Sequence, residues 1–122
     1  MLKFEINNDL NNIQASWHNM VHFFGSLLIA LCAPLYASDG QSGMMVSLSG
    51  FIVSYGLWIA WEIGDGFKPW WYTFKNKYGG DWRDWLRKEL LYSDKFSLQD
   101  VLVWNLTGSF CGSIIVFIIL WE

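Results

Sequence analysis

The chain has 122 residues, 53% of them hydrophobic and 19% aromatic, with a net charge of −3. That length holds one domain, and the small acidic balance, with no basic arm, argues against a nucleic-acid partner. Nine Trp residues in so short a chain fit a bilayer protein, because an indole satisfies its apolar ring and its single N–H donor together at the membrane–water boundary.

The N-terminal stretch from Met1 to Ser16 is rich in Asn and carries Glu5 and Asp9. It lacks the basic start and apolar middle of a cleaved signal peptide and reads as a polar lead-in that stays attached. Three apolar runs follow, from about Trp17 to Tyr36, Met44 to Trp61 and Val101 to Trp121. Each is roughly 18 to 21 residues, enough to cross about 30 Å of hydrocarbon as a helix. In lipid every backbone polar group must be satisfied within the segment, so helices are the expected form. The predicted class is therefore an all-α integral membrane bundle of three transmembrane helices, with one amphipathic helix at the interface.

Only Ala37 to Gly43 separates the first two runs, a turn with Gly and Ser and no basic residue, which predicts an antiparallel hairpin. The segment from Ile63 to Leu98 holds Lys68, Lys75, Lys77, Arg83, Arg87, Lys88 and Lys95, seven of the eight basic residues. The positive-inside rule makes this segment cytoplasmic, with the N-terminus inside and Glu122 outside. Trp17, Trp61 and Trp104 fall at the inner boundary of the spans, and Tyr36 and Trp121 at the outer one, as in two aromatic belts. Between residues 63 and 98, Trp82, Trp85, Leu86 and Leu90 recur at helical spacing, which predicts an interfacial helix from about Asp81 to Tyr92 after a Gly79-Gly80 hinge.

The third run opens with Ser97-Leu98-Gln99-Asp100, a capping-box pattern with Ser97 as N-cap and Asp100 at N3. Gly108 and Gly112 then form a small-residue strip, and Ser47, Gly50 and Ser54 a comparable one on the second helix, so these two helices are expected to pack closely. Cys32 and Cys111 both sit inside apolar runs, but Cys32 lies roughly 7 Å deeper from the shared face, which predicts two free thiols.

If the three runs alternate in direction, the start of the first, the end of the second and the start of the third share one side. That places His18, His22, Glu62, Asp65, Asp100 and Asn105 together at the cytoplasmic end. His18 and His22, four apart, share a helix face and with Glu62 form a candidate set for a divalent metal such as zinc, iron or manganese. His22 and Asn105 lie at hydrocarbon depth, where ionisable and amide groups mark function or bond to each other across helices. The predicted ligand-binding residues are His22, Glu62, Asp65, Asp100, Asn105 and Lys68, the basic groups Lys68 and Lys75 attracting phosphate.

Three segments resemble VanZ-like membrane proteins. Trp17-His18-Asn19-Met20-Val21-His22-Phe23-Phe24-Gly25 is similar to the family's helix mouth, where Asp-Lys precedes His-Phe and a small residue. Glu62-Ile63-Gly64-Asp65-Gly66-Phe67-Lys68-Pro69 resembles its Glu-x-x-Gln segment with a following aromatic, Pro and basic residue. The stretch from Ser97 to Gly108 is similar to its Asp-aliphatic-aliphatic-x-x-Asn-x-x-Gly signature. His18 stands where the family has Asp, Asp65 where it has Gln, and the family usually has more spans. The resemblance implies an envelope protein in which His22, Glu62, Asp100 and Asn105 matter, and it implies no particular reaction.

Membrane lipid is the expected partner, with a homo-oligomer or a larger membrane complex as the setting. One rival reading is a structural or pore-forming protein, such as a holin or an accessory subunit. Another is a membrane-embedded metal-dependent enzyme, although the chain has no Gly-x-Ser-x-Gly, His-Glu-x-x-His or phosphate-cradling glycine loop.

Overall fold

A computed structural model describes Phe4, residues 6–66 and residues 96–121; the side chains of His18 and Asp65 lie outside that description. Within it the chain is mostly helical. In order come β1 (Ile6–Asn7), α1 (Trp17–Leu31), α2 (Ala33–Tyr36), α3 (Gly43–Gly66), β2 (Phe96–Ser97), a π-helical turn (Asp100–Asn105) and α4 (Leu106–Ile119). The predicted interfacial helix at 81–92, its glycine hinge and the basic residues from Lys68 to Lys95 lie outside the described residues.

Among the described residues two helical stretches are long and apolar enough to cross a membrane, Gly43–Gly64 and Asp100–Ile119, and a shorter apolar helix covers Asn19–Leu31. The first apolar run does not form the single uninterrupted helix expected of it. α1 ends at Leu31, and after Cys32 the chain resumes as the four-residue α2 with Pro34 in its first turn. Proline lacks the N–H that would continue the α1 ladder, and its ring would clash with the carbonyl four residues back, so it is tolerated only at a new helix start.

The helices alternate in direction, as their contacts show. Gly25 of α1 faces Trp58 of α3, whereas Gly50 of α3 faces Ala30 and Ala33, so these two run antiparallel. Gly108 of α4 lies on Phe23 and Ser26 and Gly112 on Leu27 and Ala30, so α1 and α4 run parallel. α3 and α4 pack closely, as expected, but Gly108 and Gly112 themselves open α4 to α1 rather than to the small face of α3. Contact between α3 and α4 runs instead through Ser54 and Ser109, whose hydroxyls are 2.8 Å apart.

Each helix turns one strip of small or polar residues inward. The strips comprise His22, Ser26 and Ala30 on α1; Ser47, Gly50, Ser54 and Glu62 on α3; and Gly108, Ser109, Gly112, Ser113 and Val116 on α4. They stack in layers along the bundle. An apolar layer of Ala33, Val46 and Val116 closes one end. A serine layer fills the middle, where Ser54 Oγ donates to the Ser26 carbonyl at 2.7 Å. The ionisable groups occupy the other end. Large apolar side chains point outward, among them Leu28, Leu35, Ile52, Leu57, Phe110, Ile118 and Ile119. Such an inverted pattern, small and polar within and bulky and apolar without, is how membrane helices pack, because lipid is as apolar as leucine and close approach of backbones does the work.

The N-terminal lead-in is built into this polar end. Ile6–Asn7 pairs in parallel with Phe96–Ser97, a short strand contact that an all-α expectation did not include. Asp9 accepts hydrogen bonds from Ser97 Oγ at 2.8 Å and from the Gln99 backbone N–H at 2.8 Å. Gln99 is buried and fully engaged. Its amide donates to the carbonyls of Asp9 and Asn12, and its Oε1 accepts from Gln14 N–H, Asn19 Nδ2 and Trp104 Nε1. Trp104, expected in an aromatic belt, thus spends its indole N–H inside the protein. Cys32 and Cys111 are both free, as the depth argument predicted.

Candidate functional site

His22 sits on the inward strip of α1, whose start is fixed by Ser16: its hydroxyl accepts the Asn19 N–H at 3.2 Å, an N-cap bond. Glu62 lies near the end of α3 and is drawn inward by the backbone of the returning chain, Ser97 N–H donating to Glu62 Oε2 at 3.0 Å. Ser97 caps the third helical run as predicted, its hydroxyl accepting the Asp100 N–H at 3.1 Å. The reciprocal half of the expected capping box is replaced, because Glu62 rather than Asp100 takes the Ser97 N–H.

The π-helical winding from Asp100 to Asn105 is the local feature that completes the site. In an α-helix, residues five apart point about 140° away from each other, given 3.6 residues per turn. A π turn closes on the fifth residue, so Asp100 and Asn105 come to lie one above the other on the inner face. Such turns concentrate at functional positions. Both side chains are buried.

Four groups then surround one imidazole. His22 Nδ1 lies 3.0 Å from Asn105 Oδ1. On the other side of the ring, Nε2 faces Asp100 Oδ2 at 3.5 Å and Glu62 Oε1 at 3.6 Å. Donor atoms of His22, Glu62 and Asp100 all fall within 4.8 Å of one another, and no side chain of the three is more than 2% exposed. Trp58, one turn before Glu62 on α3, walls the site with its ring centroid 4.8 Å from that of His22. Ser26, one turn beyond His22, donates to the His22 carbonyl at 2.6 Å and also reaches Asn105 Oδ1 at 3.2 Å.

With its carbonyl oxygen toward the ring, Asn105 makes Nδ1 the protonated nitrogen and leaves Nε2 facing two carboxylates. Nε2 and the two carboxylates can share a cation, whether a proton or a metal ion. The arrangement therefore suits ion or proton handling.

Of the residues singled out from sequence, the structure brings together His22, Glu62, Asp100 and Asn105. Lys68 lies outside the described residues, as do the side chains of His18 and Asp65. Among the described residues the metal-competent set is His22, Glu62 and Asp100; it shares His22 and Glu62 with the expected set, whose third member, His18, has its side chain outside the described residues. Sequence reasoning passed over Ser26 and Trp58, which the four-residue helical repeat from His22 and Glu62 would have found. It also passed over Asp9 and Gln99, for which no local pattern gives a signal. Comparison with protein-family models, with curated proteins and with solved structures found no match for this chain.

Proposed function

We propose that this chain is a VanZ-like integral membrane protein that crosses the bilayer three times and binds a lipid head group or small polar ligand at the cytoplasmic end of its bundle. The reading rests on one observation above all. Four buried polar side chains, His22, Glu62, Asp100 and Asn105, converge from three helical runs whose outer faces are apolar. Ionisable groups inside a membrane bundle are costly and mark ligand or ion sites by default.

The first span is the bent unit of α1 and α2, and the second and third are the two long apolar helices. Seven basic residues between Ile63 and Leu98 put the polar end on the cytoplasmic side and the Ala37–Gly43 turn outside. Groups within 4.8 Å of one another leave no room for a whole head group. The portion of a ligand that reaches them is one ion or one small polar group, the remainder lying outside the cluster.

Lipid retained by the purified protein, identified by mass spectrometry, together with complementation of a deletion strain, tests this reading. His22→Ala, Glu62→Gln and Asn105→Ala should each reduce both. Unchanged lipid retention and full complementation by all three would end it.

A second reading, a structural or pore-forming subunit, draws on the Ser26–Ser54–Ser109 hydrogen bonds that tie all three helical runs together. It predicts large homo-oligomers in native lipid and tolerance of substitutions at His22.

A further inference from the structure

We infer that His22 Nε2, Glu62 Oε1 and Asp100 Oδ2 hold one divalent first-row transition-metal ion of the manganese, iron or zinc class, with Asn105 as a positioning residue. The inference deepens the ligand-binding reading and rests on the same site.

The donor set selects the class. One imidazole nitrogen and two carboxylate oxygens suit a borderline divalent ion, whereas calcium and magnesium prefer all-oxygen shells and copper(I) prefers sulfur. Neither cysteine belongs to the cluster. The spacing agrees. At 3.5 and 3.6 Å the oxygens are too far from Nε2 for a good hydrogen bond. Two ligands each about 2.1 Å from a tetrahedral ion stand about 3.4 Å apart, so the two gaps from Nε2 match edges of a coordination shell.

The surroundings orient each ligand as metal sites require. Asn105 Oδ1 fixes the imidazole through Nδ1, with Nε2 turned toward the two carboxylates. The Ser97 N–H holds the distal oxygen of Glu62, and the Ser97 hydroxyl holds the backbone N–H of Asp100. Ligands drawn from α1, α3 and the π turn make the ion a clasp between all three runs. Three donors among the described residues leave a fourth position on a tetrahedral ion, as in sites where a metal meets an exogenous oxygen. That position is where a phosphate or other polar oxygen of the ligand would attach.

The test uses the full chain in lipid nanodiscs, stripped with chelator and titrated with Mn²⁺ alone, the free ion being followed by electron paramagnetic resonance. The inference predicts saturation at one ion per chain, nitrogen hyperfine coupling from one imidazole, and displacement by Zn²⁺. His22→Ala and Asp100→Asn should weaken binding at least about 100-fold, and Asn105→Ala about 10- to 100-fold, the range for outer-shell partners. Asn105→Asp, which restores an acceptor for Nδ1, should recover most of that loss.

If the variants fail to stay monodisperse, the wild-type stoichiometry and the imidazole coupling decide alone. No saturable Mn²⁺ or Zn²⁺ binding by the wild-type chain, or binding unchanged in His22→Ala, overturns the inference. Should metal binding be absent while lipid retention still depends on His22, Glu62 and Asn105, the metal assignment fails and the ligand reading stands. If neither depends on them, both fail.

Discussion

Gly108→Ala should loosen the bundle, and Gly56→Ala should not. A methyl group at Gly108 would meet the backbone oxygen of Phe23 closer than real Cβ contacts come, and Ser26 Cβ at 2.9 Å. A backbone carbonyl inside a helix cannot rotate away, so α1 and α4 must separate. Overpacking of this kind costs about 1–3 kcal/mol, and the upper part of that range applies where the obstacle is backbone. Replacing glycine in a helix interior returns roughly 0.8–1 kcal/mol. The net expectation for Gly108→Ala is a loss of about 1–2 kcal/mol. At Gly56 nothing lies within 4 Å of the added carbon, so only the helix-propensity gain remains, up to about 1 kcal/mol. Gly108 is also one turn from Asn105, so separation there should lengthen the Asn105–His22 contact and weaken ligand binding. Thermal unfolding of both variants in the same detergent, followed by circular dichroism, measures the difference. Equal stabilities for the two variants would refute the assignment of Gly108 to the α1 contact.

Four further outcomes follow from the same geometry. Ser97→Ala removes the hydroxyl that caps the third run and bonds Asp9, and should cost about 1 kcal/mol of thermal stability. Gln99→Leu strands the Asp9 and Asn12 carbonyls and the Trp104 indole, at about 1–3 kcal/mol; limited proteolysis should then cut the 8–16 stretch sooner than in wild type. Ser54→Ala breaks the serine layer at about 0.6–1.7 kcal/mol in unfolding measurements, the range for interhelical bonds in lipid. In a cysteine-free background, Ser38→Cys should react with an impermeant maleimide from outside intact cells and Lys3→Cys only after lysis; the opposite pattern would contradict the proposed orientation with the N-terminus inside.

Much of the polar end could be read from residues alone, because an apolar run fixes a helix and alternating directions fix which ends meet. His22, Glu62, Asp100 and Asn105 were legible for that reason, as was the Ser97 cap. The π turn was not, since the sequence from Asp100 to Asn105 reads equally well as an α-helix and only the winding shows that residues five apart share a face. The partner of the Gly108 and Gly112 strip was illegible for a related reason. A small-residue strip says that a backbone approaches closely but not whose, and here it is α1 rather than α3. Pro34 was a visible signal for the break after Leu31, outweighed in a reading that followed hydrophobic length. Asp9 and Gln99 are ninety residues apart and met through tertiary structure alone.

Magic-angle-spinning nuclear magnetic resonance of the full chain in lipid bilayers tests the central claim most directly, using ¹⁵N-labelled histidine, ¹³C-labelled acidic and amide residues, and His18→Gln to isolate His22. The geometry predicts dipolar contacts from the His22 ring nitrogens to the Asn105 side-chain carbonyl carbon and to the Glu62 and Asp100 carboxyl carbons. Those contacts should vanish in His22→Ala. A His22 ring coupled to none of the three in a bilayer would mean that the polar ends of these helices do not meet, and the site would have no basis.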